Sequence, residues 1–475
     1  MPRTQTAILK VAFVSMIALL ASSCITAPES PLQPINMPTT FSQSSSPSAQ
    51  PLETQWWLSF QDKQLNALID TALTNNFNIK SAWARIDQSA AIARQSSASL
   101  FPSLDGTGRT SRSRNEINSP SNPGQPATTT YSNSFSLGLT ASYEIDLWGR
   151  IRATANAANL DNQAVVFDLQ TTAISLSAQI ADTWYNLIDQ NAQCALLEQQ
   201  IKTNQQHLDI LSERFNRGLV GAPDVLQQEQ LLESTRTEKI RADLQSKILQ
   251  HQLSVLLGEA PTAKTFATPD QFITLPNLPD TGLPADLLTK RPDLQAAFTR
   301  LQSSNQRIAA AIADQYPRLS ITASTSTDSV HIRDLFDNWL ATIAANMAAP
   351  IFDGGRRAAV VDQNKATAQQ NFYTYAQTTL TALQEVEDAL AREQHQRNIL
   401  ASIQSRERIA SQVADQLYQN YLKGAEDFLR VLTAQQSLQQ LQRQRLSANR
   451  DMIQSRIALC RAIAGPPPLT KPLEK

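Results

Sequence analysis

YSNSFSLGLTASYEI, residues Tyr131–Ile145, alternates without a break. Tyr131, Asn133, Phe135, Leu137, Leu139, Ala141, Tyr143 and Ile145 fall on one side of an extended chain. Ser132, Ser134, Ser136, Gly138, Thr140, Ser142 and Glu144 fall on the other. Ordinary strands run about five or six residues, and this one holds its period of two for fifteen. Large apolar side chains on one face and hydroxyls on the other suit a strand with hydrocarbon on one side and water on the other.

Upstream, residues 104–114 read as a weaker partner strand, joined through a Ser/Asn/Pro/Gly loop at about 115–130. Downstream, Asp146-Leu147-Trp148-Gly149 leads into Arg150–Arg217, an unbroken run with no glycine and no proline. A helix of that length would reach about 100 Å. Gly149 and Gly218 bracket it, and glycine is the residue type that ends helices. Gly221 and Pro223 then make a turn, with Asp224 as expected N-cap of a returning helix, 224–257. Before the strands, helices are expected at 62–73 and 77–100, preceded by an apolar knot at Trp56–Phe60 that reads as a docking point.

The pattern then repeats. Tyr316-Pro317-Arg318-Leu319 matches Phe101-Pro102-Ser103-Leu104 at an offset of 215. Arg356 matches Arg150, Gly424 matches Gly218, and Val431-Leu432 matches Val225-Leu226, all at an offset of 206. The second rod, Arg356–Lys423, is equal in length to the first and again lacks glycine and proline. One offset relating several landmarks indicates internal duplication. Repeat 1 spans 61–258 and repeat 2 spans 284–464, with helix 292–314, strands 319–327 and 339–349, long helix 356–423 and helix 427–463. A Pro-rich connector, 259–283, separates them, and 465–475 is a tail.

Lys plus Arg total 41 against 42 Asp plus Glu, so no basic excess points to nucleic acid. The first residues read as a targeting signal, 1–23, with Arg3 and Lys10 ahead of the apolar run Val11–Leu20. Ala21-Ser22-Ser23-Cys24 resembles a bacterial lipobox, although the favoured Leu is replaced by Ala21. That resemblance makes Cys24 the acylated (palmitate-bearing) N-terminus of a lipoprotein, and Ile25 after it implies sorting to the outer membrane. Residues 24–60 then read as a poorly ordered leader followed by the docking segment. Cys194 and Cys460 read as small buried hydrophobes with no disulfide between them. His207, His251, His331 and His395 show no ligand spacing, and no catalytic, cofactor or metal motif is present. The expectation is a chain that is not an enzyme and carries no cofactor.

Four strands cannot close a pore, and open edges in hydrocarbon leave backbone groups unsatisfied. Several copies must therefore share one barrel; strand counting alone leaves two, three or four open.

The segments Tyr143–Arg150, Arg291-Pro292-Asp293-Leu294, Tyr316–Leu319 and Pro350–Arg356, in this order, resemble the TolC-like outer membrane factor family, its NodT-type lipoprotein branch in particular. The resemblance covers essentially the whole mature chain. It implies a mixed α and transmembrane β fold with two structural repeats, four strands per chain in a shared trimeric 12-stranded barrel, and a long periplasmic α-helical coiled barrel. It implies a passive conduit of a tripartite efflux system in the outer membrane of a Gram-negative bacterium. A periplasmic adaptor (membrane fusion protein) and an inner-membrane pump of RND type would hand it drugs, metals or other small molecules. The alternative, a periplasmic coiled-coil adaptor without a pore, has no use for such strands.

The alternation assigns the first set of candidate sites, and the resemblance the other two. Phe135, Leu137, Leu139, Tyr143, Ile145 and Ile343 would face lipid. Arg214, Gly218, Leu219, Val220, Tyr421 and Gly424 would form adaptor-docking tips. Asp427, Leu429, Arg430 and Thr433 would form the periplasmic gate, with Thr433 where the family commonly has an acid.

Overall fold

A computed structural model describes residues 26–29, 32–42, 54–117, 128–261, 265–269 and 272–471. Cys24 and the signal segment lie outside the described residues, as does most of the loop at 115–130. The elements in chain order are α1 (Lys63–Asn75), α2 (Phe77–Ala98), β1 (Ser103–Ile117), β2 (Thr128–Ile145), α3 (Arg150–Asn216), α4 (Ala222–Leu256), α5 (Leu287–Lys290), α6 (Pro292–Ala313), β3 (Arg318–Ser329), β4 (Trp339–Ala348), α7 (Arg356–Leu422) and α8 (Phe428–Ile463). One compact unit comprises Met1–Pro31, Ile86–Ala164 and Ala297–Thr374 and holds the sheet. The other comprises Leu32–Arg85, Val165–Ala296 and Tyr375–Lys475.

The four strands form one antiparallel sheet in the order β1-β2-β3-β4. Register follows from the alternation, because a one-residue slip would exchange the faces. Leu139 sits opposite Gly106 and Thr325, and Leu137 opposite Gly108 and Thr327. The two glycines lie under leucine side chains: a Cβ on Gly108 would stand 3.3 Å from Leu137 Cδ2. The strand β1 extends three residues beyond the expected end at 114 and α3 stops one short of Arg217.

Each rod begins on an aspartate. Asp146 accepts from the N–H groups of Ile151 (3.0 Å) and Arg152 (2.8 Å), while Glu144 takes Arg150 bidentately at 2.9 Å. In the second repeat Asp353 accepts from Gly355 (3.1 Å) and Arg357 (3.2 Å). The return helix α4 departs from expectation. Its N-cap is Gly221 in extended conformation, with Pro223 inside the first turn. Proline lacks the N–H that a first turn leaves unbonded anyway, so the helix starts ahead of it. Asp224 becomes a first-turn acid on the favourable end of the helix dipole rather than the cap.

In the second unit, Trp56, Trp57 and Phe60 form a buried 3-10 turn. Trp56 Nε1 donates to Ser177 Oγ at 3.3 Å, and Phe60 lies 6.0 Å from Tyr185. Asp62 caps α1 through Gln64 and Leu65 N–H groups and accepts Trp184 Nε1 at 2.8 Å. Each such buried aromatic contributes about 1.5–3 kcal/mol. The leader, expected to be poorly ordered, is pinned where it is described. Tyr375 Oη donates to the Leu32 carbonyl at 2.6 Å, and the Ser42 N–H donates to Glu387 Oε1 at 2.9 Å. Helix side chains thus satisfy two backbone groups of this Pro/Ser-rich segment.

The connector is fixed similarly. Arg456, buried, pairs with buried Glu393 at 2.7 Å and donates to the carbonyls of Pro276 (2.8 Å) and Asn277 (3.1 Å). The short helix α5 was not expected. After it, Arg291 pairs with Asp293 and Glu385, both at 2.7 Å, and donates to the Ala462 carbonyl. The Arg-Pro-Asp-Leu motif therefore ties the start of α6 to α7 and α8. Between α3, α4 and α8 lies a buried amide layer. Asn204 Nδ2 donates to Thr235 Oγ1 (3.0 Å), Gln439 Nε2 to Asn204 Oδ1 (2.8 Å), and Gln228 Nε2 to the Asn204 carbonyl (2.9 Å).

Helix α4 ends at Gly258, φ +77°, where an added Cβ would stand 2.6 Å from the Asn75 carbonyl oxygen. Gly258→Ala is expected to destabilise the folded protein by about 2–4 kcal/mol through left-handed strain and the clash. A lowered urea midpoint is the readout; an unchanged midpoint would refute the close approach.

Candidate functional site

Two features carry the functional candidates: the two faces of the sheet and the turns that end the rods. On one face, the register aligns Ile145–Leu319–Met347, Tyr143–Ile321–Ala345, Ala141–Ala323–Ile343, Leu139–Thr325–Ala341, Leu137–Thr327–Trp339 and Phe135–Ser329 in six successive rows. None of these rows holds a charge. Ten residues of rise separate Ile145 from Phe135, about 26 Å when tilted by about 40°. That equals the apolar band of a transmembrane barrel, about 25 Å. Leu137, Leu139, Tyr143 and Ile343 are exposed, Ile343 at 83%. Phe135 and Ile145 are half-buried. All six expected lipid-facing residues thus lie on this one face.

The opposite face is polar. Ser103 and Ser142 hydroxyls meet at 2.8 Å, Ser113 and Ser132 at 2.7 Å. Arg109, Ser136 and Asp328 share one row, and Asp105, Thr140 and Ser324 another. The charges Asp105, Arg109 and Asp328 lie on the strands flanking β2, where the sequence shows no clean alternation, and Asp328 stands one residue past the expected strand 319–327. Where β2 hands over to α3, Trp148 stacks on Tyr316 at 4.9 Å and donates Nε1–H to the Pro317 carbonyl at 2.7 Å.

Both rods end alike. Gly218 (φ +73°) and Gly424 (φ +77°) adopt left-handed backbone. The Leu219 N–H donates to the Arg214 carbonyl and the Ala425 N–H to the Asn420 carbonyl, each at 2.9 Å, a Schellman closure in each repeat. Leu219 is 62% exposed and Val220 half-buried. Tyr421 is not a surface group: it packs at 6% exposure with Leu211, Phe428, Val431 and Leu432. The Arg214 guanidinium lies 4.7 Å above its ring. The Tyr421 hydroxyl and Arg214 Nε have no hydrogen-bond partner among the described residues. Burial pushes the Tyr421 hydroxyl pKa up, and the Arg214 charge opposes that shift. Arg214 and Tyr421 thus hold the turn together, leaving Leu219 as the outward tip. The match of Val431-Leu432 to Val225-Leu226 marks two of these packing residues in the sequence, whereas Phe428 stands against Ala222 in the first repeat and carries no such mark.

Among the expected gate residues, Asp427 caps α8 by accepting from the Leu429 N–H at 2.8 Å. Arg430 is bidentate to Glu426 at 2.8 and 2.9 Å, and Thr433 Oγ1 donates to the Leu429 carbonyl at 2.8 Å. Arg430 and Thr433 are exposed, and Leu429 is 54% exposed. Asp427 and Arg430 thus have local partners, while Leu429 leaves an apolar side chain more than half exposed. Among the described residues no group of three His, Cys, Asp or Glu side chains could hold a metal, and Cys194 and Cys460 are free. Among the described residues no helix is long and apolar enough to cross a membrane.

The outer membrane efflux protein family matches residues 68–259 and 283–465. The cation efflux system protein CusC of Escherichia coli (strain K12) is 30% identical over 469 residues, covering 94% of this chain and 98% of that protein. The pyoverdine export outer membrane protein OpmQ of Pseudomonas putida (strain KT2440) is 29% identical over 460 residues, 94% and 95% of the two chains. A solved structure of CusC superposes with a TM-score of 0.81 at 27% identity, over 93% of this chain and all of that one.

If Leu429 narrows a pore, Leu429→Ala is expected to raise single-channel conductance and admit vancomycin-sized solutes. Unchanged conductance and permeability would remove Leu429 from the gate.

Proposed function

The chain belongs to the outer membrane efflux protein family, and from that premise we propose that three copies close one 12-stranded barrel and export small molecules delivered by a periplasmic adaptor and an inner-membrane pump, of RND type. The observation that carries this reading is the four-stranded sheet. Its apolar face matches the thickness of hydrocarbon, its other face is lined by hydroxyls, and β1 and β4 each have a single partner strand among the described residues. In a bilayer those edges must pair, and pairing β4 of one copy with β1 of the next closes a ring without an edge. Three copies give twelve strands, enough for a water-filled lumen.

The rods extend the same lumen into the periplasm. Leu219 and its surroundings are the adaptor-docking tips; Leu429, with Asp427, Arg430 and Thr433 around it, is the gate. The polar wall offers hydroxyls rather than a shaped pocket, so cargo is selected upstream, by the pump. Relatives named for pyoverdine and for cations fit a conduit whose wall does not choose between them. The chain acts as a passive conduit, not an enzyme.

Acylation at Cys24 anchors the copies to the outer membrane. One saturated chain binds a bilayer only marginally, so the acyl groups supplement the barrel.

The full chain purified in detergent is expected to migrate as a heat-sensitive trimer and to give discrete conductance steps in planar bilayers. Monomer alone, without steps, would refute the shared barrel. Separately, Cys24→Ser is expected to abolish metabolic palmitate incorporation while conductance persists; palmitate retained by that variant would exclude Cys24 as the acylated residue.

A further inference from the structure

The uncharged face of the sheet ends abruptly. Beyond the row of Phe135 and Thr110, the next rows on the same face are Arg112 with Asn133, then Arg114 with Tyr131, then Glu116 with Thr129. Two arginines therefore follow immediately on the six uncharged rows, at the end of the sheet where β1 and β2 join. The helices α2 and α3 adjoin the opposite end, at Ser103 and Ile145. If the rods stand in the periplasm, the arginines stand at the outer leaflet, level with its headgroups. This step rests on the channel reading above.

Their surroundings favour an anionic partner. Arg112 lies over the Tyr131 ring at 5.4 Å. A guanidinium held by its face keeps its N–H edge for an acceptor. Among the described residues no acid pairs with Arg112. Arg114 meets Glu116 at 3.4 Å, but both are more than half exposed, and such a pair contributes little in water. The strand β3 stops at Ser329, level with Phe135, so nothing in this sheet beyond β2 reaches these rows. An exposed tyrosine beside the two cations is the amphipathic group found at bilayer boundaries.

We propose that Arg112 and Arg114, flanked by Tyr131, form a binding site on the lipid-facing side of the barrel for the phosphate-bearing headgroups of outer-leaflet lipid. The arginine forks match phosphate oxygens, two donors to each. Bound at the rim, the headgroup fixes how deep each copy's hairpin sits. In a trimer the six arginines make a belt of three identical sites around the barrel.

Arg109 supplies an internal control. It lies on the same strand, three residues from Arg112, but on the polar face opposite Ser136. The experiment uses the full-length protein in phosphatidylcholine nanodiscs, with a bisphosphorylated glycolipid, lipid A, as probe and native mass spectrometry as readout. Wild-type protein is expected to retain lipid A. The double variant Arg112→Gln/Arg114→Gln is expected to bind it about 30-fold more weakly, from the contribution of two surface cations facing anionic lipid. Arg109→Gln is expected to bind it as wild type does. Equal retention by the double variant, or equal loss with Arg109→Gln, would overturn the proposal. Displacement of lipid A by millimolar inorganic phosphate would make this a site for free anions and overturn the lipid assignment. Conductance recorded on the same preparations separates the two readings: wild-type steps in the double variant show that the barrel persists while the headgroup is lost.

Discussion

The constraint on which the structure depends is that a peptide group in hydrocarbon must find its partner within protein. A four-stranded sheet satisfies its interior ladder and leaves two edges. The length of its uncharged face and the hydroxyls behind that face suit a sheet set in the membrane. The edges then make assembly a condition of the fold rather than a later event. A single copy cannot insert stably, because each unpaired edge residue would forfeit several kcal/mol in lipid.

Much of this was legible in the sequence because the signals were long. Fifteen residues of strict alternation fix a strand and its faces together, and two long runs of equal length without glycine or proline fix two rods. Shorter signals failed for physical reasons. The partner strand β1, SLDGTGRTSRSRNEI, carries almost no apolar residue, because glycines on its outward face make room for the leucines of β2. Its full length is set by β2, not by its own composition. Asp224 looked like a helix cap, but a proline one residue earlier fits the first turn and moves the cap to Gly221. Tyr421 has the composition of a contact residue, yet the turn folds back over it. The Arg-Pro-Asp-Leu motif marked the family without revealing that Arg291 is a structural tie. Tertiary packing decides such positions, and no local pattern records it.

The two repeats do the same work with different chemistry. One return helix starts on Gly221, the other on Asp427, whose carboxylate caps it. One rod is entered through Trp148, clamped on Tyr316 and Pro317; at the corresponding position the other has Gly354, with φ +62°. Duplication gave two copies of a hairpin, and the copies have since diverged in sequence. Only the second carries Leu429 at the start of its return helix. In a trimer the six turns would alternate between two kinds, so that a partner could bind one kind and leave the other to gate.

The amide layer around Asn204 has a consequence for how such a wall can move. Leucine packing tolerates sliding by a turn, because one aliphatic groove resembles the next. Asn204, Gln228, Thr235 and Gln439 do not, since their bonds are specific to one register, and a slipped helix would bury amides without partners. The layer therefore acts as a detent. Axial translation of α8 against α3 is blocked there, while rotation or splaying below it, toward the glycine turns, breaks none of those bonds. Toward the turns the contact between these helices passes to the cluster of Leu211, Tyr421, Phe428, Val431 and Leu432, whose side-chain packing carries no such register: length is fixed by amides, and any movement of the tip is left to hydrocarbon.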